Sequence, residues 1–505
     1  MEFKKLTEKM KKFVYSTCSY ANPHIGVILN EILASVDNGD KLYWGQCRGV
    51  FSSCMMNPNG NSIPCSLCKL QYKTLIKEFG KSVEVVPFTH NENVKCKEII
   101  FKSIEEIKKL EYRGVHVGLS ILSYYFSITR NINPDITSGF SKYVNGIASD
   151  MFGQIDAIYD FIDKEKPDVI SIYNGRLYES RALYDIARIM GIKFESLEIV
   201  GGMDGPAKMV KYENALPHDI DYFGRKANWV WEVSKDTDEE KERIASDFFI
   251  RRRNGVQAGD KVYVAGQVKG KLPEDLDFGK INIMIFNSSA DELAALGGEW
   301  DKDILFKSQY EAIDYMLSNS SPTIHYYLRI HPNLKNVHYK FVTELYNLCK
   351  NYANITVIEP SSDISSYALL DVADKVVVFG STMGVEANFW GKSVILIGRS
   401  FYYNMDVAYH ANTKGELIQL LHSELPPKSK LDSMKYGYYI LDTTYRTVQK
   451  YYININPVDI TFCGKHIRFI PYLKQWNSVL LFKLMHLFSI RVSLLFGKKA
   501  NPFPG

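Results

Sequence analysis

The sequence lacks any run of about twenty uncharged apolar residues, the length that crosses a bilayer. That excludes an ordinary helical membrane span. It also lacks an excess of one charge sign. Its 61 basic residues stand against 57 acidic ones, so the net charge is only +4 and no nucleic-acid partner is expected. Lys4, Lys5, Lys11 and Lys12 precede an apolar run, but Ser16, Thr17 and Ser19 break it and no small-residue cleavage site follows. No secretory signal is therefore expected, and a cytoplasmic location follows. Thiols stay reduced there, so the eight cysteines are not expected to form a disulfide framework. No internal repeat of solenoid period is present.

What is present is a large apolar fraction, 46% of 505 residues, ample for two or three cores at roughly 100–200 residues each. Short β-rich runs alternate with helical periodicity in two blocks, which predicts α/β domains with parallel sheets. In the first block, Pro167 to Tyr173 reads as a strand and Asn174-Gly175-Arg176 as a turn. Ser180 to Met190 reads as a helix closed by Gly191, and Phe194 to Val200 as the next strand. In the second block, Asn282 to Phe286, Ile324 to Ile330, Lys375 to Phe379 and Val394 to Ile397 read as strands. Each runs into small or polar residues, and open α/β sheets bind ligands at such carboxyl ends. The expected division is a first domain over 1–235, a charged interdomain region over 236–280, a second domain over 281–425 and a C-terminal crossover over 426–505. From Trp476 to Lys499 the chain reads as a basic, aromatic amphipathic helix, suited either to the protein's own surface or to a membrane interface.

The strongest chemistry lies between Arg329 and Glu386. Arg329-Ile330-His331-Pro332 ends one predicted strand, and Gly380-Ser381-Thr382-Met383-Gly384-Val385-Glu386 ends another and opens a helix. Gly380 and Gly384 would let the backbone approach a ligand. The helix N-terminus and the Ser381 and Thr382 hydroxyls would hold a phosphate, and Arg329 and His331 would neutralise it. Glu386 would accept hydrogen bonds from a ribose or sugar hydroxyl.

These two segments, continued through Trp390-Gly391-Lys392-Ser393-Val394-Ile395-Leu396, resemble bacterial capsule and lipopolysaccharide biosynthesis transferases. The His-Pro and Ser-Thr pairs are also similar to the donor-phosphate motifs of Kdo transferases and bacterial sialyltransferases. The resemblance implies a GT-B fold, two Rossmann-like domains facing a cleft, and a glycosyltransferase that uses a nucleotide sugar, CMP-linked by preference. It implies a glycan or glycolipid acceptor and no cofactor for the transfer itself. Asn287-Ser288-Ser289 resembles the first loop of the donor domain. Asn174, Gly175 and Arg176, with Pro217-His218-Asp219, look like the acceptor-side pattern of the same proteins, and His24 in the first turn joins them. Deprotonating an acceptor hydroxyl needs a carboxylate or His. Glu198, at an expected strand end, is the first candidate and Asp204 the second. Each has a purely structural alternative: Glu198 pairing with Arg176 or ordering its loop, His24 filling a turn. Asp301-Lys302-Asp303 has the letters of a metal-binding Asp-x-Asp but follows Trp300 outside any strand, so a phosphate held by amides and cations is expected rather than one held by magnesium. A polyol-phosphate transferase and a non-catalytic sugar-binding or assembly protein are the rival functions.

Cys47, Cys54, Cys65 and Cys68 fall close together in a stretch that reads as loop-rich. Four thiolates suit a structural zinc or an iron–sulfur cluster, and buried unligated thiols are the alternative. Cys65-Ser66-Leu67-Cys68 is not expected to open a helix, which argues against a thioredoxin-like dithiol. Cys18, Cys96, Cys349 and Cys463 read as scattered core or surface thiols.

Overall fold

The computed structural model describes residues 9–19, 24–55, 57–58, 60–91, 93–200, 208–259, 261–442, 460–462 and 465–467. Two compact units emerge: residues 1–129, 133–217 and 449–505 form one, and residues 130–132 and 218–448 the other. Asp204, Cys463 and the segment from Trp476 to Lys499 lie outside the described residues.

In the first unit a six-stranded sheet comprises β1 (Lys11–Ser16), β2 (Lys41–Cys47), β3 (Glu84–Phe88), β4 (Val169–Tyr173), β5 (Lys193–Val200) and β6 (Lys208–Glu213), in the order β3-β2-β1-β4-β5-β6. Pairing is parallel except between β5 and β6. In the second unit the sheet comprises β7 (Ile281–Phe286), β8 (Ile324–Arg329), β9 (Ile355–Ile358), β10 (Lys375–Val378), β11 (Ser393–Leu396) and β12 (Tyr409–His410). Its order is β12-β11-β10-β7-β8-β9 and every pairing is parallel. Both orders are Rossmann-like, reversing direction at β1/β4 and at β7/β10, where ligands of such sheets bind.

The second sheet is covered on both faces, as a parallel sheet requires. Along β7, Ile283 and Ile285 enter one core with Ile313 and Met316, while Met284 and Phe286 enter the other with Phe249 and Val385. That period of two is the pleat of a strand with two buried sides. In the first unit, Gly191 takes the left-handed conformation just past the helix Tyr178–Ile189, as its sequence position predicts.

The domain boundaries differ from expectation. Contacts divide the chain at 217/218 rather than near 235, and 236–280 is part of the second unit, not a separate region. The reason is a well-specified helix, Asp238–Arg253. Thr237 and Glu240 form a capping box, three acidic residues occupy its first turn and three arginines its last, matching the helix dipole at both ends. It packs on the helix Leu431–Leu441, so residues 426–441 also belong to this unit rather than to a crossover. Strands β2, β3, β6 and β9 had no distinct sequence signal.

The helix Val117–Thr129 packs against Tyr178–Ile189 in the first unit. Its approach to the segment before it is close: a Cβ on Gly118 would stand 1.6 Å from the Ile107 carbonyl oxygen. Backbone cannot yield as a side chain does. Gly118→Ala is expected to destabilise the chain by about 1–3 kcal/mol, the usual cost of overpacking. Thermal unfolding checks this, and an unchanged melting temperature would contradict the packing described.

Candidate functional site

In the second unit a cavity of about 340 Å3 opens at the carboxyl ends of β7, β8 and β10. Asn287, Ser288 and Ser289 after β7, Arg329, His331 and Pro332 at the end of β8, and Gly380, Ser381, Thr382 and Glu386 after β10 all line it. The crossovers of the parallel sheet thus bring together segments far apart in sequence.

Arg329 is the centre of this cavity. Its side chain is buried, at 4% exposure, and one guanidinium nitrogen donates to the Ser362 carbonyl at 3.0 Å. Its Nε and Nη1 have no hydrogen-bond partner, and neither has Nδ2 of Asn287. Burial lowers the Arg329 pKa to about 10, partly offset by Asp363, so the group stays cationic at neutral pH. Each buried donor left unpaired costs about 1–3 kcal/mol. Three such N–H-bearing atoms around one cavity are matched by an anionic, oxygen-rich ligand.

His331 differs from expectation. Burial, reinforced by the Arg130 charge, pushes its pKa down to about 4, so at neutral pH it is uncharged. Its Nδ1 accepts from the Asn333 amide at 3.2 Å, which leaves the proton on Nε2. It serves as a neutral donor, not a counter-charge. The Asn287 side-chain oxygen accepts from the His331 amide at 2.7 Å, and the Tyr263 ring lies 5.1 Å from the imidazole, so the histidine is held from two sides.

Glu386 is also corrected. It is fully buried, Arg252 Nε donates to it at 3.0 Å, and the Tyr367 hydroxyl donates to its other oxygen. Both carboxylate oxygens are engaged by protein groups, so it orients Arg252 rather than offering itself to a sugar hydroxyl. Arg252 in turn donates to Thr382 Oγ1 at 3.2 Å. The two glycines serve packing. Gly380 has a φ of +91° and a Cβ there would meet the Arg399 carbonyl at 2.7 Å. Gly384 sits against the Tyr402 hydroxyl and does not line the cavity. The helix they open, Met383–Phe389, is only seven residues long, so the anion site rests on side chains more than on a helix terminus. Ser289 donates to Asp291, and Ser288 accepts from Gln309 Nε2 at 3.1 Å. Arg252, Lys261 and Tyr263 line the cavity unpredicted. The one sequence signal for Arg252 was the run Arg251-Arg252-Arg253, which does not say which arginine faces inward.

In the first unit, Asn174 and Gly175 form the expected turn, both with positive φ. Glu198 lies within β5, paired with Val210 of β6, not at a strand end. Asn174 Nδ2 donates to it at 2.8 Å. Burial raises its pKa against the hydrogen bonds from Tyr173 and Asn174. The Arg176 guanidinium donates to Ser123 at 2.7 Å and Ser127 at 3.0 Å. His218 is assigned to the second unit, where its carbonyl accepts from Trp300 Nε1 at 2.7 Å, whereas Asn174, Gly175 and Arg176 belong to the first. His24 opens the helix His24–Asn38; its side chain lies outside what is described.

Cys65 and Cys68 lie in the helix Ser62–Phe79, not in a loop, and the pair does stand near a helix start. A reactive dithiol is still a poor reading, because burial raises the Cys68 thiol to about 12, opposite to an activated cysteine. Among the described residues no three His, Cys, Asp or Glu side chains are grouped as a single metal ion requires, Cys47, Cys54, Cys65 and Cys68 included.

Comparison with known proteins bears on the second unit. Residues 302–441 match the family model described as capsule polysaccharide biosynthesis protein. This segment is similar to the capsule polysaccharide biosynthesis family. It contains Arg329, His331, Ser381, Thr382 and Glu386, and not Arg252 or Asn287. The sequence search of curated proteins found no match. Among solved structures, the chain is similar to the beta Kdo 2,4 transferase of Thermosulfurimonas dismutans KpsC at 16% identity and a TM-score of 0.36, over 60% of this chain and 84% of that one. The beta Kdo 2,7 transferase of the same protein gives 17% and 0.32, over 66% and 89%. A UDP-GlcNAc 2-epimerase from Methanocaldococcus jannaschii gives 12% and 0.26, over 86% and 98%. At these scores the likenesses carry no argument for an activity.

A second buried group stands out in the first unit. Glu179 is 4% exposed, accepts from the Met55 amide at 2.9 Å, and burial raises its carboxyl from 4.5 to about 7. The folded chain therefore holds this proton more tightly than the unfolded chain. The stabilising contribution is full below 4.5 and is lost as pH rises from 4.5 to about 7. Glu179→Gln removes that dependence. Melting temperatures across this pH range are expected to fall more steeply in the native chain than in the variant, and parallel curves would contradict the assignment.

Proposed function

We propose that the chain is a glycosyltransferase of capsule polysaccharide synthesis whose second domain binds the phosphate of a nucleotide-activated sugar. The observation that carries this reading is the buried Arg329 guanidinium with two unpaired nitrogens beside the unpaired Asn287 amide. The capsule-family match over the segment that holds Arg329 supports the pathway, and the cavity is of a size for a nucleotide sugar's polar half. A CMP-linked donor is the finer reading, supported by the likeness of the Arg-x-His-Pro and Ser-Thr pairs to those of Kdo transferases and sialyltransferases.

As the bond from the sugar to the phosphate breaks, negative charge grows on the departing nucleotide. Arg329 supplies a fixed positive charge for it from a buried side chain, where such charge acts more strongly than in water. Neutral His331 donates through Nε2 and the Ser381 hydroxyl adds a further donor. Arg252, held by Glu386 and Tyr367, fixes Thr382 at the cavity wall. The acceptor hydroxyl must lose a proton, and Glu198 is the carboxylate we assign to it, with Asp204 as the alternative. The acceptor is a growing glycan or glycolipid, met at the inner face of the membrane. No helix among the described residues is long and apolar enough to cross that membrane.

Arg329→Met and His331→Ala test this. Removing one preorganised donor typically lowers turnover by about 10²–10³, and each variant is expected to lose transfer to that extent. Arg329→Met should melt no lower than the native chain, since an incompletely paired buried charge is replaced by an apolar side chain. Sugar transfer followed by product mass is the readout. Undiminished transfer by either variant would sink the proposal, and phosphorus in the new linkage would replace it with polyol-phosphate transfer.

A further inference from the structure

The histidine of the donor cavity is held by a residue that does not itself line that cavity. Residues 130–132 belong to the second unit, although the residues that flank them in the chain belong to the first. Arg130 is half-buried, and its Nη1 donates to the Asn333 carbonyl at 2.6 Å. The amide of the same Asn333 donates to His331 Nδ1 at 3.2 Å. Asn333 therefore links the guanidinium on one side to the imidazole on the other. The segment concerned, Pro332–Leu334, is a single 3-10 turn. Hydrogen bonds inside such a turn have poorer geometry than those of an α-helix. A bond from an ionised donor outside the turn is stronger than they are. Arg130 also has a φ of +58°, just past the helix Val117–Thr129. Glycine or asparagine is usual at such a position, because a side chain with a Cβ is strained there. An arginine kept in a strained conformation points to a use for its side chain.

We propose that Arg130 is a positioning residue of the donor site: it holds the Pro332–Leu334 turn so that the Asn333 amide occupies His331 Nδ1 and the imidazole presents Nε2–H to the donor phosphate. The inference rests on the transferase reading of that cavity. A neutral imidazole has two tautomers, and the hydrogen bond made at one nitrogen decides which is populated. With a donor fixed at Nδ1, the ring's own hydrogen sits on Nε2, where it can be given to a phosphate oxygen. If the turn relaxes, the hydrogen can move to Nδ1, and Nε2 then faces the phosphate as an acceptor, which an anion disfavours. The Arg130 charge acts in the same direction, because it opposes protonation of His331. Around the ring, Asn287 and Asn333 carry no charge, the Tyr263 ring lies beside it, and Arg329 and Lys261 line the same cavity.

The test combines nitrogen NMR of the full chain, labelled in histidine, with sugar transfer by the native protein, Arg130→Met and Arg130→Lys. The chain has 11 histidines, and the His331 signals are those lost in His331→Ala. The native chain is expected to show one neutral tautomer at neutral pH, protonated on Nε2. In Arg130→Met both tautomers appear, and the titration of the ring moves up toward its ordinary value of 6.5. Transfer falls about 10–100-fold, the loss typical when a partner that orients a working histidine is removed, and the fall is in kcat with KM little changed. Arg130→Lys keeps the charge and a donor, so it is expected to restore the single tautomer and most of the transfer. A general loss of packing would not move the His331 signals in this way. An unchanged tautomer and titration in Arg130→Met would overturn the proposal, and so would undiminished transfer by that variant. The NMR readout needs no substrate. Displaced His331 signals in Arg130→Met, with no transfer by the native chain, would support the positioning and overturn the transferase reading instead.

Discussion

One incompletely satisfied charge organises the second unit. Arg329 is carried into the interior by the last position of β8, a strand buried along its whole length. There it finds one carbonyl, from Ser362, for a group that brings five donors. A guanidinium is costly to bury in this state, and proteins seldom keep such a group unless something else completes it. The surroundings follow from that constraint. β7 and β10 end in small polar residues, Asn287 leaves an amide facing the same space, and the nearby carboxylates have other ion-pair partners: Glu386 pairs with Arg252, and Asp363, which only partly offsets the burial of Arg329, pairs with Lys271.

The Glu386–Arg252 pair shows how the site is held. A buried pair of this kind adds little net stability, but removing one partner strands the other. Tyr367 and Thr382 complete it, so the helix Asp238–Arg253, the segment before β10 and the helix Met383–Phe389 are locked together behind the cavity. The carboxylate most easily mistaken for a ligand group is the one the scaffold already uses. The neutral state of His331 has a similar logic. Burial, reinforced by the Arg130 charge, keeps the imidazole neutral, and a neutral imidazole still donates a hydrogen bond.

Much of this was legible in the sequence because parallel strands declare themselves twice, by a continuous apolar run and by the small polar residues that follow. Asn287-Ser288-Ser289, Arg329-Ile330-His331 and Gly380-Ser381-Thr382 were visible for that reason, and the sheet's topology brought them to one cavity. What stayed hidden depended on long-range partners. Arg252 lies on a helix whose charged sequence looked like a linker, and its inward orientation is set by Glu386, far along the chain. Glu386 looked like a ligand group because its partner was unseen. His218 was placed with the wrong unit because nothing local marks the boundary at 217/218.

The central claim is that the space around Arg329 receives a nucleotide phosphate. Calorimetric titration of the full chain with CMP, CDP, UDP and GDP, repeated on Arg329→Met, tests it most directly. Saturable binding of one nucleotide by the native chain, abolished in the variant, is the predicted result, with CMP preferred. No heat with any nucleotide, or equal affinity in the variant, would contradict the account.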